Sequence, residues 1–188
     1  VLIGITGKAF SGKDTCASEI IRLLERDGKP AYNAKFADPL KDMICAMLGC
    51  TRQTLEDPVF KESKLKELGV TPRHLMQTLG VDWARKCIRP EVWCDLFDMR
   101  WGYRVARGER VVVSDVRFDN EAKLIRKMGG FIVQVVRQSD TTESSGHESE
   151  HGIDPALVHV VLHNDTTPAR LGLNALAAYA TWASRKDK

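Results

Sequence analysis

Residues 7–15 read GKAFSGKDT, with glycines at Gly7 and Gly12 and a lysine, Lys13, directly after the second. This is the G-x-x-x-x-G-K spacing. It follows an apolar run, VLIGIT, and precedes an amphipathic stretch. The chemistry open to such a segment is anion binding. Glycines take backbone angles that bulkier residues resist, so successive N–H groups can converge on one point. A helix that starts there adds the positive end of its dipole. The lysine reaches the β- and γ-phosphates of a nucleoside triphosphate. A chance lysine in a glycine-rich strand-to-helix turn is the bland alternative, and the strand-before, helix-after context argues against it. The place after Lys13 usually carries Ser or Thr, whose hydroxyl meets Mg2+. Here it is Asp14, with Thr15 one place later. Either the carboxylate or the hydroxyl can serve the ion.

A second carboxylate, Asp115, stands at the end of the apolar run RVVVSD, where an acidic residue can assist Mg2+ or its waters. A helix cap or a structural ion pair is the competing reading. Arg117 follows two residues later, at a sheet edge that faces a ligand crevice in α/β folds, and its guanidinium can clamp a phosphate. Asn120 and Glu121 are adequately explained as helix-start residues. Arg73 and Gln77 are four apart and share a helix face. With Arg85 further along, they are candidates for holding an acceptor phosphate, against the common case of solvated surface arginines. Lys35, Phe36 and Asp38 lie where a second strand ends, at the same crevice edge, although Phe36 suits a core equally well. Arg137 sits at the root of a polar segment, 138–152. That segment has the length and composition of a lid that excludes water from a transfer site, where Arg137 can stabilise transition-state charge.

These residues need a scaffold, and the hydrophobic pattern supplies one. Strands are expected at 1–6, 31–36, 110–115, 131–136 and 157–162. Helices are expected at 13–26, 39–48, from Thr71-Pro72 onward, from Pro90 to about 107, at 120–127 and at 168–184, with broken helix at 51–69. Alternating strands and helices predict a three-layer α/β/α fold around a mostly parallel five-stranded sheet. The 188 residues suit one domain, with 37–108 as a helical insertion. A 43% hydrophobic and 28% charged composition reads as ordinary globular protein. The net charge of +3 demands no nucleic-acid partner. No apolar run approaches a membrane span, and VLIGIT is too short for a secretory core. The 5 scattered cysteines, without a CxxC pair, fit buried reduced thiols in a cytoplasmic protein. The aromatic-rich helix carrying Trp93, Phe97, Trp101 and Tyr103 is a candidate core or homodimer face.

His147, Glu148 and His151 satisfy H-E-x-x-H. Zinc proteolysis needs both histidines on one face of a stable helix, plus a third ligand. Gly146 and Gly152 bracket the segment and no apolar stripe flanks it, so the pattern reads as a coincidence.

Taken in order, the motifs resemble the deoxynucleoside monophosphate kinases of tailed bacteriophages. The matching segments are SGKDT (residues 11–15), FADPLK (36–41), R-x-L-M-Q-x-L-G (73–80) with Arg85 and Trp93, SDVRFDNEA (114–122) and HESE (147–150). They span most of the chain. The resemblance makes Asp14 a regular family feature and places Glu148 in the lid. It implies Mg2+-dependent transfer of the ATP γ-phosphate to a deoxynucleoside monophosphate. Gly7, Ser11, Gly12, Lys13, Asp14 and Thr15 would hold the donor phosphates and metal, and Lys35, Arg73 and Arg117 would contact the acceptor. Asn164 and Asp165 would form the adenine-side loop. One departure is Ala9, where relatives are expected to carry a lysine; Lys8 is adjacent. Competing readings are a dephospho-coenzyme A kinase-like enzyme and a nucleotide-binding regulatory module. The second lacks the N-K-x-D segment that guanine recognition needs.

Overall fold

The computed structural model describes residues 1–137 and 151–186. Within it the chain divides into two compact units, residues 1–35 with 97–188, and residues 36–96.

The larger unit is built on β1 (Leu2–Thr6), which is buried along its whole length. It pairs in parallel with β3 (Arg110–Val113) on one side and β4 (Phe131–Val136) on the other. β2 (Ala31–Ala34) and β5 (Val160–His163) complete five parallel strands in the order β2-β3-β1-β4-β5. The period of two is explicit in the packing. Ile3, Ile5, Phe131, Val133 and Val135 join Cys16, Ala17 and Ile20 of α1 (Lys13–Leu24), and Leu171 and Ala175 of α8 (Pro168–Lys186), in one core. On the opposite face, a Cβ at Gly4 would lie 2.7 Å from Ile125 Cδ1 and 2.8 Å from Ile132 Cδ1. Ile125 belongs to α7 (Asp119–Lys127), so only glycine lets that helix seat this closely. The strands are thus covered on both faces, as continuous apolar runs require.

Three strand boundaries move, the first being that of β3, which ends at Val113, two residues short of Asp115. β5 begins at Val160 because Pro155–Leu157 forms a 3-10 turn, capped by the Asp154 carboxylate accepting from Ala156 N–H at 2.9 Å. β2 stops at Ala34, two residues short of Phe36.

The smaller unit is helical. α2 (Asp38–Leu48) ends at Gly49, which is left-handed at φ 62°. The region 51–69 resolves into α3 (Arg52–Glu56) and α4 (Pro58–Glu62), capped by Thr51 and Asp57 side chains. α5 (Pro72–Gln77) starts as its sequence predicts, with Thr71 Oγ1 accepting from His74 N–H at 3.1 Å. It then continues as a π-helical segment, Thr78–Ile88. Such wide turns are rare and occur often at functional sites. Hydrophobic spacing does not separate them from α-helix. α6 (Val92–Ala106) starts here, two residues later than Pro90 suggested, and from Phe97 onward its residues belong to the larger unit. Its aromatics divide by position: Trp93 and Phe97 are buried, while Tyr103 is 72% exposed.

The cysteines are all free. Cys16 and Cys94 are buried as expected, but Cys87 is exposed. Burial pushes the Cys16 thiol up to about 12. No helix among the described residues is long and apolar enough to cross a membrane.

The core of the smaller unit gathers Leu40, Ile44, Leu55, Ala84 and Trp93. Its polar anchor is the Trp93 indole N–H, which donates to Gly80 O at 2.8 Å inside the core. Trp93→Phe should retain most of the apolar contact and lose that bond. The expected destabilisation is about 1–3 kcal/mol, measured as a lower urea midpoint.

Candidate active site

The segment between β1 and α1 forms an anion cradle from backbone. Gly7 stands at φ 153° and Gly12 at φ 98°. A Cβ on Gly7 would lie 2.4 Å from Val135 O, and one on Gly12 would lie 2.2 Å from Asn164 Nδ2. Both glycines are therefore required by space as well as by angle. α1 begins at Lys13 with no side-chain cap on its first turn, whereas α3, α4 and α5 are all capped by side chains. The N–H groups at the start of a helix need acceptors, and at α1, as at α2, no side-chain cap supplies one. Ser11 Oγ is buried without a hydrogen-bond partner. An uncapped helix start, an orphaned hydroxyl and a glycine cradle together fit the phosphates of a nucleotide.

Lys13 is 8% exposed, and its Nζ donates to Lys8 O at 3.1 Å. Its pKa lies below the ordinary lysine value, chiefly through burial and then through the nearby Arg117 guanidinium. Asp14 and Asp115 act in the opposite direction. Lys35 Nζ lies 3.3 Å from Asp14 Oδ1. The fold thus brings Lys13, Asp14, Lys35, Asp115 and Arg117 into one electrostatic neighbourhood, although they come from three separate stretches of chain. Asp14 and Thr15 are exposed at the start of α1 and Asp115 is half-buried. No group of three or more His, Cys, Asp or Glu converges among the described residues. These hard oxygens suit magnesium that takes its other ligands from phosphate and water.

Asp115 does not cap α7, whose N-cap is Phe118. The capping work falls to Glu121, buried at 3% exposure. Its Oε2 accepts from Arg117 N–H at 2.8 Å and Phe118 N–H at 3.2 Å. A residue readable as a simple helix starter therefore fixes the backbone that carries Arg117. Asn164, expected beside the base of the nucleotide, reaches the phosphate loop. Its Nδ2 donates to Ser11 O at 2.9 Å, and its own N–H donates to Val136 O at 2.7 Å. Asp165 is exposed next to it, and Arg137 is exposed at the end of β4. Glu148 and nearly all of the expected lid lie outside the described residues.

The remaining candidates belong to the smaller unit. Arg73 pairs through Nε with Glu62. Gln77, half-buried, ends α5 just before the π-helical segment. Arg85 is 8% exposed and its Nη1 donates to Pro90 O at 2.9 Å, which fixes the chain between that segment and α6. Asp38 accepts from Arg52 at 2.7 Å at the start of α2, and Phe36 is buried.

Three residues escaped the sequence reading. Lys8 matters through its carbonyl, which holds Lys13 Nζ and also accepts from Ser11 N–H at 3.3 Å. Ser114 Oγ is buried without a hydrogen-bond partner directly before Asp115. Phe10 occupies a left-handed conformation, φ 62°, alone among the described non-glycine residues. For Phe10 a signal existed: a turn inside a glycine-rich loop that lacks glycine where positive φ is needed.

Comparison with known proteins bears on this cradle. The family model for deoxynucleotide monophosphate kinase matches residues 60–173, more than half of the chain. The match starts beyond the phosphate loop, so loop and family model are separate pointers. A putative deoxynucleotide monophosphate kinase of Acanthamoeba polyphaga mimivirus is 33% identical over 165 residues, covering 80% of each chain. The chain belongs to the deoxynucleotide monophosphate kinase family. Another relative, the deoxynucleoside-5'-monophosphate kinase of Escherichia phage T5, is 26% identical and covers 81% of this chain and 85% of its own length. At the level of fold, the APS kinase CysC of Mycobacterium tuberculosis, in complex with AMPPNP and APS, superposes with a TM-score of 0.53. It is 15% identical and covers 95% of this chain and 96% of that one. At this identity the likeness is one of fold alone, a parallel α/β sheet flanked by helices.

A buried lysine below its ordinary pKa has a definite signature. The folded state disfavours the charged form, so the ammonium lowers stability at pH values beneath its folded pKa. That cost disappears as pH rises toward the unfolded value. Lys13→Met should therefore melt at or above the temperature of the unaltered protein near neutral pH, with the difference shrinking in alkali. Turnover should fall by roughly 10²–10³-fold or more, as when a donor to transition-state charge is removed. Thermal melts across pH together with an ADP-release assay check both parts.

Proposed function

We propose that this chain transfers the γ-phosphoryl group of ATP to the phosphate of a deoxynucleoside monophosphate, giving ADP and the deoxynucleoside diphosphate. The observation that carries the reading is the backbone cradle at Gly7 and Gly12, closed on Lys13, in a member of this family.

The acceptor is already an anionic phosphate, so no strong general base is needed, and catalysis is positioning plus charge neutralisation. The N–H groups at the start of α1 and the loop bind the donor phosphates. Lys13 exchanges its bond to Lys8 O for a phosphate oxygen, which relieves part of the cost of burying its charge. Arg117, held through its own N–H by Glu121, neutralises charge on the transferring group, and Arg137 contributes at the end of β4. Lys35, paired with Asp14 in the free protein, exchanges that partner for an incoming phosphate. Asp14, Thr15 or Asp115 would hold magnesium, which would supply charge neutralisation at the donor phosphates. In the smaller unit, Arg73 and Gln77 grip the acceptor, with Phe36, Asp38 and Arg85 shaping its pocket. Arg73 trades Glu62 for the acceptor phosphate. Residues 138–152, Glu148 among them, serve as the lid, and Asn164 and Asp165 border the donor nucleotide.

ADP release measured with each deoxynucleotide and ribonucleotide monophosphate in turn, and with dephospho-coenzyme A, tests the reading. Acceptor-dependent release with one or more deoxynucleotides supports it. Release confined to dephospho-coenzyme A, or none beyond slow hydrolysis, defeats it. Arg73→Ala should raise the acceptor KM by roughly tenfold or more, the scale of a hydrogen bond to a charged group. KM for ATP should stay nearly unchanged. Arg73→Lys should rescue little, because a point charge does not replace a bidentate fork.

A further inference from the structure

Residues 8–11 form a turn closed by Ser11 N–H donating to Lys8 O at 3.3 Å. Its third residue is Phe10 at φ 62°. A four-residue turn with positive φ at that place calls for glycine or asparagine. An L-residue with a bulky side chain crowds its own carbonyl there, and such outliers persist where the surroundings or the function demand them. The ring is 81% exposed, the most exposed of the large apolar side chains among the described residues. The same Lys8 carbonyl that closes this turn accepts from Lys13 Nζ. The strained aromatic therefore sits on the turn that holds the catalytic lysine, beside the buried hydroxyl of Ser11.

We propose that Phe10 is the water-excluding lip of the donor phosphate site, its ring becoming buried against the bound donor nucleotide. The proposal rests on the kinase reading above. In the productive reaction an acceptor phosphate oxygen forms a bond to the γ-phosphorus. The bond from that phosphorus to the β–γ bridging oxygen breaks, and ADP leaves with the electron pair. A water molecule in the acceptor's place forms the same kind of bond and gives ADP, inorganic phosphate and a proton. The two nucleophiles compete for one phosphorus, and a positioned apolar ring at the loop penalises the smaller one by denying it hydrogen-bonding neighbours. A flexible glycine at this turn would satisfy the backbone and leave the phosphorus open to water. The strain at Phe10 is consistent with selection for the ring over the relaxed turn.

Three variants separate the ring from the turn. Phe10→Gly and Phe10→Asn keep the left-handed turn and remove the apolar ring; Phe10→Leu keeps an apolar side chain. ADP and inorganic phosphate release are measured with ATP alone and with a saturating deoxynucleoside monophosphate, alongside thermal melts and ATP affinity. The glycine and asparagine variants should fold at least as stably as the unaltered chain. Their ratio of hydrolysis to transfer should rise roughly tenfold, the equivalent of one decade in relative barrier. Phe10→Leu should stay within about threefold of the unaltered ratio. An unchanged ratio in both ring-less variants overturns the proposal. So does a loss of ATP affinity with the ratio preserved, which would make Phe10 part of the loop's shape only. Absence of acceptor-dependent ADP release from the unaltered chain is a different result. It would remove the kinase reading, and this proposal with it.

Discussion

The turn of residues 7–13 has to hold a backbone that suits few residues other than glycine, with Gly7 at φ 153° and Gly12 at φ 98°. That constraint organises the larger unit. Inside the loop, Ser11 N–H and Lys13 Nζ both donate to Lys8 O, and the rest of its support comes from outside. The Val135 carbonyl stands against Gly7, and the Asn164 amide grips Ser11 O while filling the space beside Gly12. β1 delivers the chain from the middle of the sheet, where both faces are buried and the strand end cannot drift.

Charge is handled by the same logic. A buried ammonium is expensive unless it is paired and hydrogen-bonded. Lys13 has one backbone carbonyl, two carboxylates within electrostatic reach and an arginine that works against it. The free site is thus poised with excess positive charge, the condition under which an arriving polyphosphate is bound most favourably. Glu121 shows the complementary device. A carboxylate placed inside the protein receives two backbone N–H groups and fixes a neighbouring stretch whose exposed Arg117 faces outward. Rigid support beneath and a free cation above is what positional catalysis of phosphoryl transfer asks for.

The smaller unit solves a different problem with short elements. Helices of five or six residues are marginal alone, and each here is given a side-chain cap and a share of one core. The π-helical segment carries Gly80, whose carbonyl is met by Trp93, and Arg85, which reaches Pro90 O. Arg85, which reads from sequence as a binding candidate, is thus also tied into the frame of the unit.

Sequence alone determined the parts that depend on local physics. The glycine spacing, the apolar runs and the caps at Thr71 and beyond are decided within a few residues, because sterics and hydrogen-bonding capacity act over that range. The mostly parallel five-stranded sheet followed from alternating strands and helices, whereas its order, β2-β3-β1-β4-β5, came only with the structure. What the sequence left open depends on groups distant in the chain. The period of α5 beyond Gln77 gives no warning of π turns, because hydrophobic spacing tolerates both. Asn164 is a polar residue after a strand until the fold brings it across 153 positions to Ser11 O. Glu121 reads as a helix starter until its burial is known. Phe10 is the sharpest case. Its residue type was visible from the start, but only the tertiary structure decided that it sits left-handed and exposed. A backbone angle is set by the turn that closes around it, and that turn is held by the rest of the protein.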